Sequence, residues 1–285
     1  MSNTEFMDDA ISPINERPMH EIYEWEENQQ PWLISYERYN ICSTIDMPDE
    51  QTSLIDMLEA GFAKHARQVA YYCDDQEITY EQLDKLSLKV AIYLQQLGLK
   101  VGDAVGVMLP NILQYPVITL GVIRAGMVLV SMNPSYTSRE LEHQMDDADI
   151  KALFILDKFI YTYKDIADSL NRDLHHLIIC RLGDLKGKLK GALINLVSAT
   201  TDLPPKGNWI YFSQLLAGAS KAYERPTLTL SNIVLIQYTG GTTGTAKGAM
   251  LSHGNVIANL LQIDALIRSA YDEEGQEDII LASLP

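Results

Sequence analysis

The strongest constraint on how this chain folds is an alternation of two apolar periods. Short apolar runs bounded by turn residues trade places with longer stretches whose apolar residues recur every three or four positions. Thr79 and Gln82 have the spacing of a capping box. Behind them Leu83, Leu86, Val90, Tyr93, Leu94 and Leu97 mark one helical face, and Gly98 supplies a stop. Residues 105–108 then read as a short buried strand. Residues 112–125 read as a helix with Pro116 in its first turn, where proline is tolerated. A strand at 127–131, a cap at Thr137 and Glu140, and a strand at 152–156 follow. Strands alternating with helices predict an α/β fold, a parallel sheet with helices over both faces.

Flanking segments are read the same way. Ser53 with Asp56 is a further capping box, and Leu54, Met57, Leu58 and Phe62 form the apolar face behind it. Residues 69–73 and 77–79 read as a hairpin around a polar turn. Residues 1–31 are acidic and mixed (Glu24, Glu26, Glu27), which predicts a loose N-terminal extension. Residues 184–230 are less regular. The lysine-rich stretch 183–191 and the Pro204-Pro205-Lys206-Gly207 turn predict a connector between sheet subdomains or a surface insertion. Downstream, 233–238 and 249–251 read as strands. A helix opens near Ser252 with Val256, Leu260, Ile263, Leu266 and Ile267 on its expected buried face.

Between those two strands lies the chain's most distinctive chemistry. Tyr238 and Thr239 lead into Gly240, Gly241, Thr242, Thr243, Gly244, Thr245, Ala246, Lys247 and Gly248. Glycines let successive backbone N–H groups turn toward one point, threonine hydroxyls add donors, and Lys247 adds a point charge. That equipment suits a polyphosphate. The competing reading, a flexible linker or a hairpin tip, fits poorly with an apolar strand directly before the loop. The NTPase P-loop needs a hydroxyl residue after the lysine, where this chain has Gly248. The dinucleotide fingerprint fails on glycine spacing.

The string resembles the phosphate loop of the AMP-forming acyl-CoA synthetases, the adenylate-forming superfamily. That family commonly has Ser where Gly240 stands and Pro where Ala246 stands. Both departures look like those of bacterial long-chain fatty acid–CoA ligases. Segments 102–110, 111–115, 121–126, 133–141 and 181–184 resemble the same ligases, in order and spacing, from about Trp32 onward. The resemblance implies ATP-dependent activation of a long-chain fatty acid to acyl-adenylate and then acyl-CoA. ATP and Mg2+ would be the cofactors, with coenzyme A and the fatty acid as substrates. Tyr238, Thr239, Gly240, Gly241, Thr242, Thr243, Gly244, Thr245, Lys247 and Gly248 would hold the ATP phosphates. It further implies that residues 32–285 are an incomplete N-terminal AMP-binding (adenylation) domain. The metal ligand, the ribose clamp, the main catalytic residues and a C-terminal domain would then lie beyond residue 285. Two alternatives accompany it: a truncated non-catalytic fragment that at most binds nucleotide, and a related ligase for a medium-chain, aryl or amino acid.

Composition narrows the partners. A net charge of −16 argues against nucleic acid, whose phosphates need basic surfaces, and makes Lys247 stand out on an acidic chain. Cys42, Cys73 and Cys180 are widely spaced and odd in number, which fits a reducing cytoplasm and no disulfide framework. The apolar stretch 105–130 is broken by Pro110, Asn111, Gln114, Pro116 and Arg124, so it reads as soluble core rather than a spanning helix. Peripheral contact with the inner face of the membrane is compatible with a lipid substrate, and a homodimer with the family. His253 is expected to serve structure at a helix N-terminus. His143, His175 and His176 read as surface or packing residues, Asp146, Asp147 and Asp149 as a solvated helix end, and Tyr238 as packing beside the loop.

Overall fold

A computed structural model describes residues 31–167, 174, 176–200, 204, 208–219, 221–239, 246–270 and 279–282. The chain divides into two compact units, residues 46–261 with 275–285, and residues 1–45 with 262–274. The described part of the smaller unit holds helix α1 (Pro31–Arg38) and the last part of the final helix. The rest of the expected N-terminal extension, residues 1–30, lies outside the described residues, as do His175 and all of the predicted 204–207 turn but Pro204.

The larger unit opens with α2 (Leu54–His65), the hairpin β1 (Val69–Cys73) and β2 (Gln76–Thr79), and α3 (Tyr80–Gln96). The predicted caps form. The Ser53 N–H donates to Asp56 Oδ2 at 2.7 Å, and the Thr79 N–H to Gln82 Oε1 at 2.9 Å. Then come β3 (Ala104–Met108), α4 (Gln114–Arg124), β4 (Val128–Ser131), α5 (Ser138–Asp147), β5 (Ile150–Leu156), α6 (Ile160–Ala167) and β6 (His176–Cys180). Next are α7 (Lys188–Val197), β7 (Trp209–Tyr211), α8 (Phe212–Gly218), β8 (Ile233–Thr239) and β9 (Lys247–Ser252), and the chain continues as α9 (His253–Ala270).

Seven strands form one sheet in the order β7-β6-β5-β3-β4-β8-β9, parallel throughout except for the last, antiparallel pair. Period two sorts the side chains. Val105, Val107, Ala152 and Phe154 meet Leu83, Val90 and Leu94 of α3 and Val117, Ile118 and Val122 of α4 on one face. Met108, Val130, Leu153 and Ile155 meet Leu141 and Met145 of α5 and Ile160 of α6 on the other. This is the expected doubly covered α/β architecture.

The interruption at Arg124 proves structural. Its guanidinium is buried, donates to Asp84 Oδ1 at 2.6 Å and to the Asp84 carbonyl at 2.9 Å, and so locks α4 to α3.

Two expectations need correction. Residues 184–230 are not merely irregular, since α7, β7 and α8 lie there and β7 extends the sheet. The buried face of α9 is also displaced. Val256 and Ile267 are half-buried, but Leu260, Ile263 and Leu266 are exposed, while His253 and Ile257 are buried. The cause is a hydrogen bond at the start of the helix. The Leu54 N–H donates to His253 Nδ1 at 3.0 Å, which sets the helix rotation and turns His253 and Ile257 toward Leu54, Ile55, Ile123 and Val234.

Candidate phosphate-binding hairpin at the carboxyl edge of the sheet

The glycine–threonine loop connects β8 to β9. Because β8 runs parallel to β4, with Leu129, Val130 and Ser131 beside Leu235, Ile236 and Gln237, the loop leaves the carboxyl edge of the parallel strands. β3 and β5 are neighbours whose following helices cover opposite faces, which makes a topological switch point. Ligands of open α/β sheets bind outside the carboxyl ends of the strands at such points. β8 and β9 pair antiparallel, so the connectivity is that of a hairpin tip, the reading the apolar strand before the loop argued against, and β8 delivers the start of the loop to the edge where a nucleotide is expected.

The two ends of the loop are well fixed. Thr239 pairs with Lys247 and Tyr238 with Gly248 across the hairpin. Lys247 is exposed and makes no ion pair among the described residues. Gly248 has a packing reason to be glycine: a Cβ there would lie 2.7 Å from Ile236 Cγ2 and 3.1 Å from Tyr238 Cζ. Tyr238 turns its ring into the second core face and donates from Oη to Asp147 Oδ2 at 2.6 Å. Burial first, and then this bond, raises the phenol well above its usual range. Gly240, Gly241, Thr242, Thr243, Gly244 and Thr245 lie outside the described residues.

Helix α5 braces this hairpin, a role the sequence reading missed. His143 Nε2 donates to the Ala246 carbonyl at 3.1 Å, and its ring meets Tyr238 edge-on at 6.3 Å. Asp147, one turn later, takes the Tyr238 hydroxyl. His143 and Asp147 are four residues apart on one helical face, and that spacing was the available signal. His253 is structural, as expected, and burial depresses its imidazole pKa. Asp149 pairs with Lys151 at 2.7 Å, and among the described residues no group of three or more His, Cys, Asp or Glu could hold a metal ion.

The same edge carries a second polar turn, after β6. The Asp184 side chain is buried and accepts from the Arg181 N–H at 2.9 Å, from Arg181 Nη2 at 3.3 Å and from Asn195 Nδ2 at 3.1 Å. Arg181 stacks over Tyr211 at 4.2 Å. A small cavity of about 120 Å³ lies here, lined by Asp157, Arg181, Asn195 and Tyr211 among others. Burial raises the carboxyls of both Asp157 and Asp184. The larger cavity, about 340 Å³, lies by His176, Asn208 and Trp209, at the amino ends of β6 and β7 and away from the loop.

Comparison with known proteins bears on the family and the fold. A family model described as AMP-binding enzyme matches residues 58–285. A long-chain-fatty-acid–CoA ligase of Escherichia coli O157:H7 is 43% identical over 224 residues, covering 76% of this chain and 40% of the relative. One from Yersinia pestis is 38% identical over 263 residues, covering 90% and 46%. The chain thus spans less than half the length of these curated relatives. Among solved structures, a long-chain-fatty-acid-CoA ligase from Archaeoglobus fulgidus superposes with a TM-score of 0.60 at 22% identity, over 78% of this chain and 40% of that one. At that identity the likeness speaks for the fold alone. A match over most of the sequence, relatives near 40% identity and a glycine–threonine hairpin at the carboxyl edge agree, and the chain belongs to the AMP-binding enzyme family.

Proposed function

We propose that the whole protein joins a long-chain fatty acid to coenzyme A with ATP. The observation that carries this reading is the Gly/Thr/Lys hairpin at the carboxyl edge of the sheet, with Lys247 exposed on a chain of net charge −16. The relatives named long-chain-fatty-acid–CoA ligase favour the acyl substrate. A carboxylate oxygen attacks the α-phosphorus of ATP, the bond to pyrophosphate breaks, and acyl-adenylate forms. The CoA sulfur then attacks the acyl carbon and AMP leaves. AMP is a far better leaving group than oxide, which is why the carboxylate needs this route.

This chain's share is positioning and charge neutralisation. Residues 239–245 offer backbone and hydroxyl donors to the β- and γ-phosphates, and Lys247 offers charge. His143 and Asp147 hold the hairpin's base, through the Ala246 carbonyl and the Tyr238 hydroxyl. Magnesium, when bound, would neutralise phosphate charge. We place the protein in the cytoplasm with peripheral contact at the inner membrane face. Among the described residues no helix is long and apolar enough to cross a membrane.

The test is the full-length protein with ATP, magnesium, CoA and acids from acetate to oleate, compared by kcat/KM. Each buried CH2 contributes about 0.8 kcal/mol, so a dedicated acyl tunnel should favour long chains steeply. A peak at acetate or at an aromatic acid refutes the substrate.

A further inference from the structure

Helix α7 is turned the wrong way for a water-facing helix. Leu189, Leu193, Leu196 and Val197 are 90%, 61%, 75% and 80% exposed. Their spacing puts them on one face of the helix. A single exposed leucine needs no explanation, but four aliphatic residues in a stripe do. The opposite face is anchored. Asn195 accepts from the Gly183 N–H at 2.7 Å and donates to Asp184, and Gly191 meets Gly183 so closely that a Cβ on either would lie 2.2 Å from the other's carbonyl oxygen. The aliphatic stripe is therefore held outward by the fold.

We propose that α7 is an interfacial helix that lays this stripe on a lipid bilayer. The chemistry favours lipid over protein. The stripe is purely aliphatic, whereas protein interfaces concentrate Tyr, Trp and Arg. Helix α7 contains no acidic residue, and the sequence puts Lys186, Lys188 and Lys190 at its start, on a chain of net charge −16. Asp74 pairs with Lys186 and Asp75 with Lys190, so charge contributes less here than the apolar face. Binding is then driven by the apolar face and assisted by anionic lipid. The helix is joined to the turn after β6, at the edge that carries the phosphate hairpin. The inference deepens the peripheral-membrane part of the functional reading and names its surface.

The experiment is co-sedimentation of the full-length protein with vesicles of phosphatidylcholine, and of phosphatidylcholine with phosphatidylglycerol, without ATP or CoA. Wild type should bind both, with roughly fivefold gain from the anionic lipid. Leu193→Ser with Leu196→Ser should lower the partition coefficient at least about tenfold. Val101→Ser with Tyr161→Ser, exposed elsewhere, should leave it unchanged. The proposal is overturned if wild type ignores both vesicles or if the two double variants bind alike. It is also overturned if the leucine variant changes oligomeric state, or melts several degrees lower, since a second copy or another segment of the protein would then cover the stripe. Acyl-CoA formation with dissolved substrate is measured separately, so failure of membrane binding leaves the ligase reading standing, and the converse holds.

Discussion

Two turns leave the same edge of the same sheet and are finished in opposite ways. After β6, Arg181 and Asp184 satisfy each other, with Asn195 and the stacked Tyr211 closing the set. After β8, the hairpin base is equally well tied, through His143, Asp147 and Tyr238, yet Lys247 is left exposed with no ion pair among the described residues. Each turn has a cation, a carboxylate and a tyrosine at its base. The difference lies in where their hydrogen bonds end. A charge whose partners are in the fold holds the fold, and a charge held at a rigid rim with no partner is available to a ligand.

The comparison breaks first at Asp184. Asp184→Ala leaves Arg181 and the Asn195 amide without their acceptor, and removing one member of such a pair should cost roughly 3 kcal/mol. Urea denaturation would read this, and a midpoint within error of wild type would mean that the turn is not the structural one. Lys247→Ala should behave oppositely. Stability should stay within about 0.5 kcal/mol, as for exposed positions generally. A charge-assisted phosphate contact is worth roughly 1.5–3 kcal/mol, so acyl-adenylate formation in the full-length protein should fall on the order of ten- to a hundredfold. Pyrophosphate exchange measures it, and an unchanged rate would remove the hairpin from the site.

Gly248 sharpens the contrast, because it belongs to the glycine-rich string but is held by packing. Gly248→Ala would push on Ile236 and on the Tyr238 ring, an overpacking cost of about 1–3 kcal/mol. The expected signature is a lower urea midpoint, with a loss of adenylation that Ile236→Ala relieves in part by removing the nearest clashing atom. A loss of activity without any loss of stability would instead give Gly248 a direct role toward phosphate.

Much of this was legible before any coordinates. The strand and helix alternation from Thr79 to Leu156 reads directly, because local capping boxes and apolar periods agree with the tertiary result. Helix α7 was hidden because its apolar stripe faces outward and its lysines look like a loop. β7 is three residues long and owes its strand character to pairing with β6, so no local pattern announces it. The α9 face was misjudged because one hydrogen bond from a residue 199 positions away sets the helix rotation. At the site, the loop's chemistry was visible as residue types, whereas its bracing by His143 and Asp147 depends on how α5 lies across the sheet.

His253 supplies the smallest test, one of sign. It follows β9 directly, so it could be taken for a further group aimed at phosphate, yet its bonds end inside the fold. Nδ1 accepts the Leu54 N–H, which requires a neutral ring protonated on Nε2. Burial depresses the pKa, and the nearby Asp56 pulls more weakly in the other direction. A histidine with a depressed folded pKa contributes its full stability above the unfolded value of about 6.5. As pH falls below that value the unfolded chain binds the proton first, so stability is lost until the folded pKa is reached. The urea midpoint of wild type should therefore drop between about pH 7.5 and about pH 5.5 by more than that of His253→Asn, whose amide oxygen lies where Nδ1 does and can accept the same bond without titrating. Taking the difference between the two proteins removes the contribution of the other histidines and of the buried carboxyls. Parallel slopes would show that His253 is not the buried neutral acceptor the geometry describes, and would reopen a role for it beside Lys247.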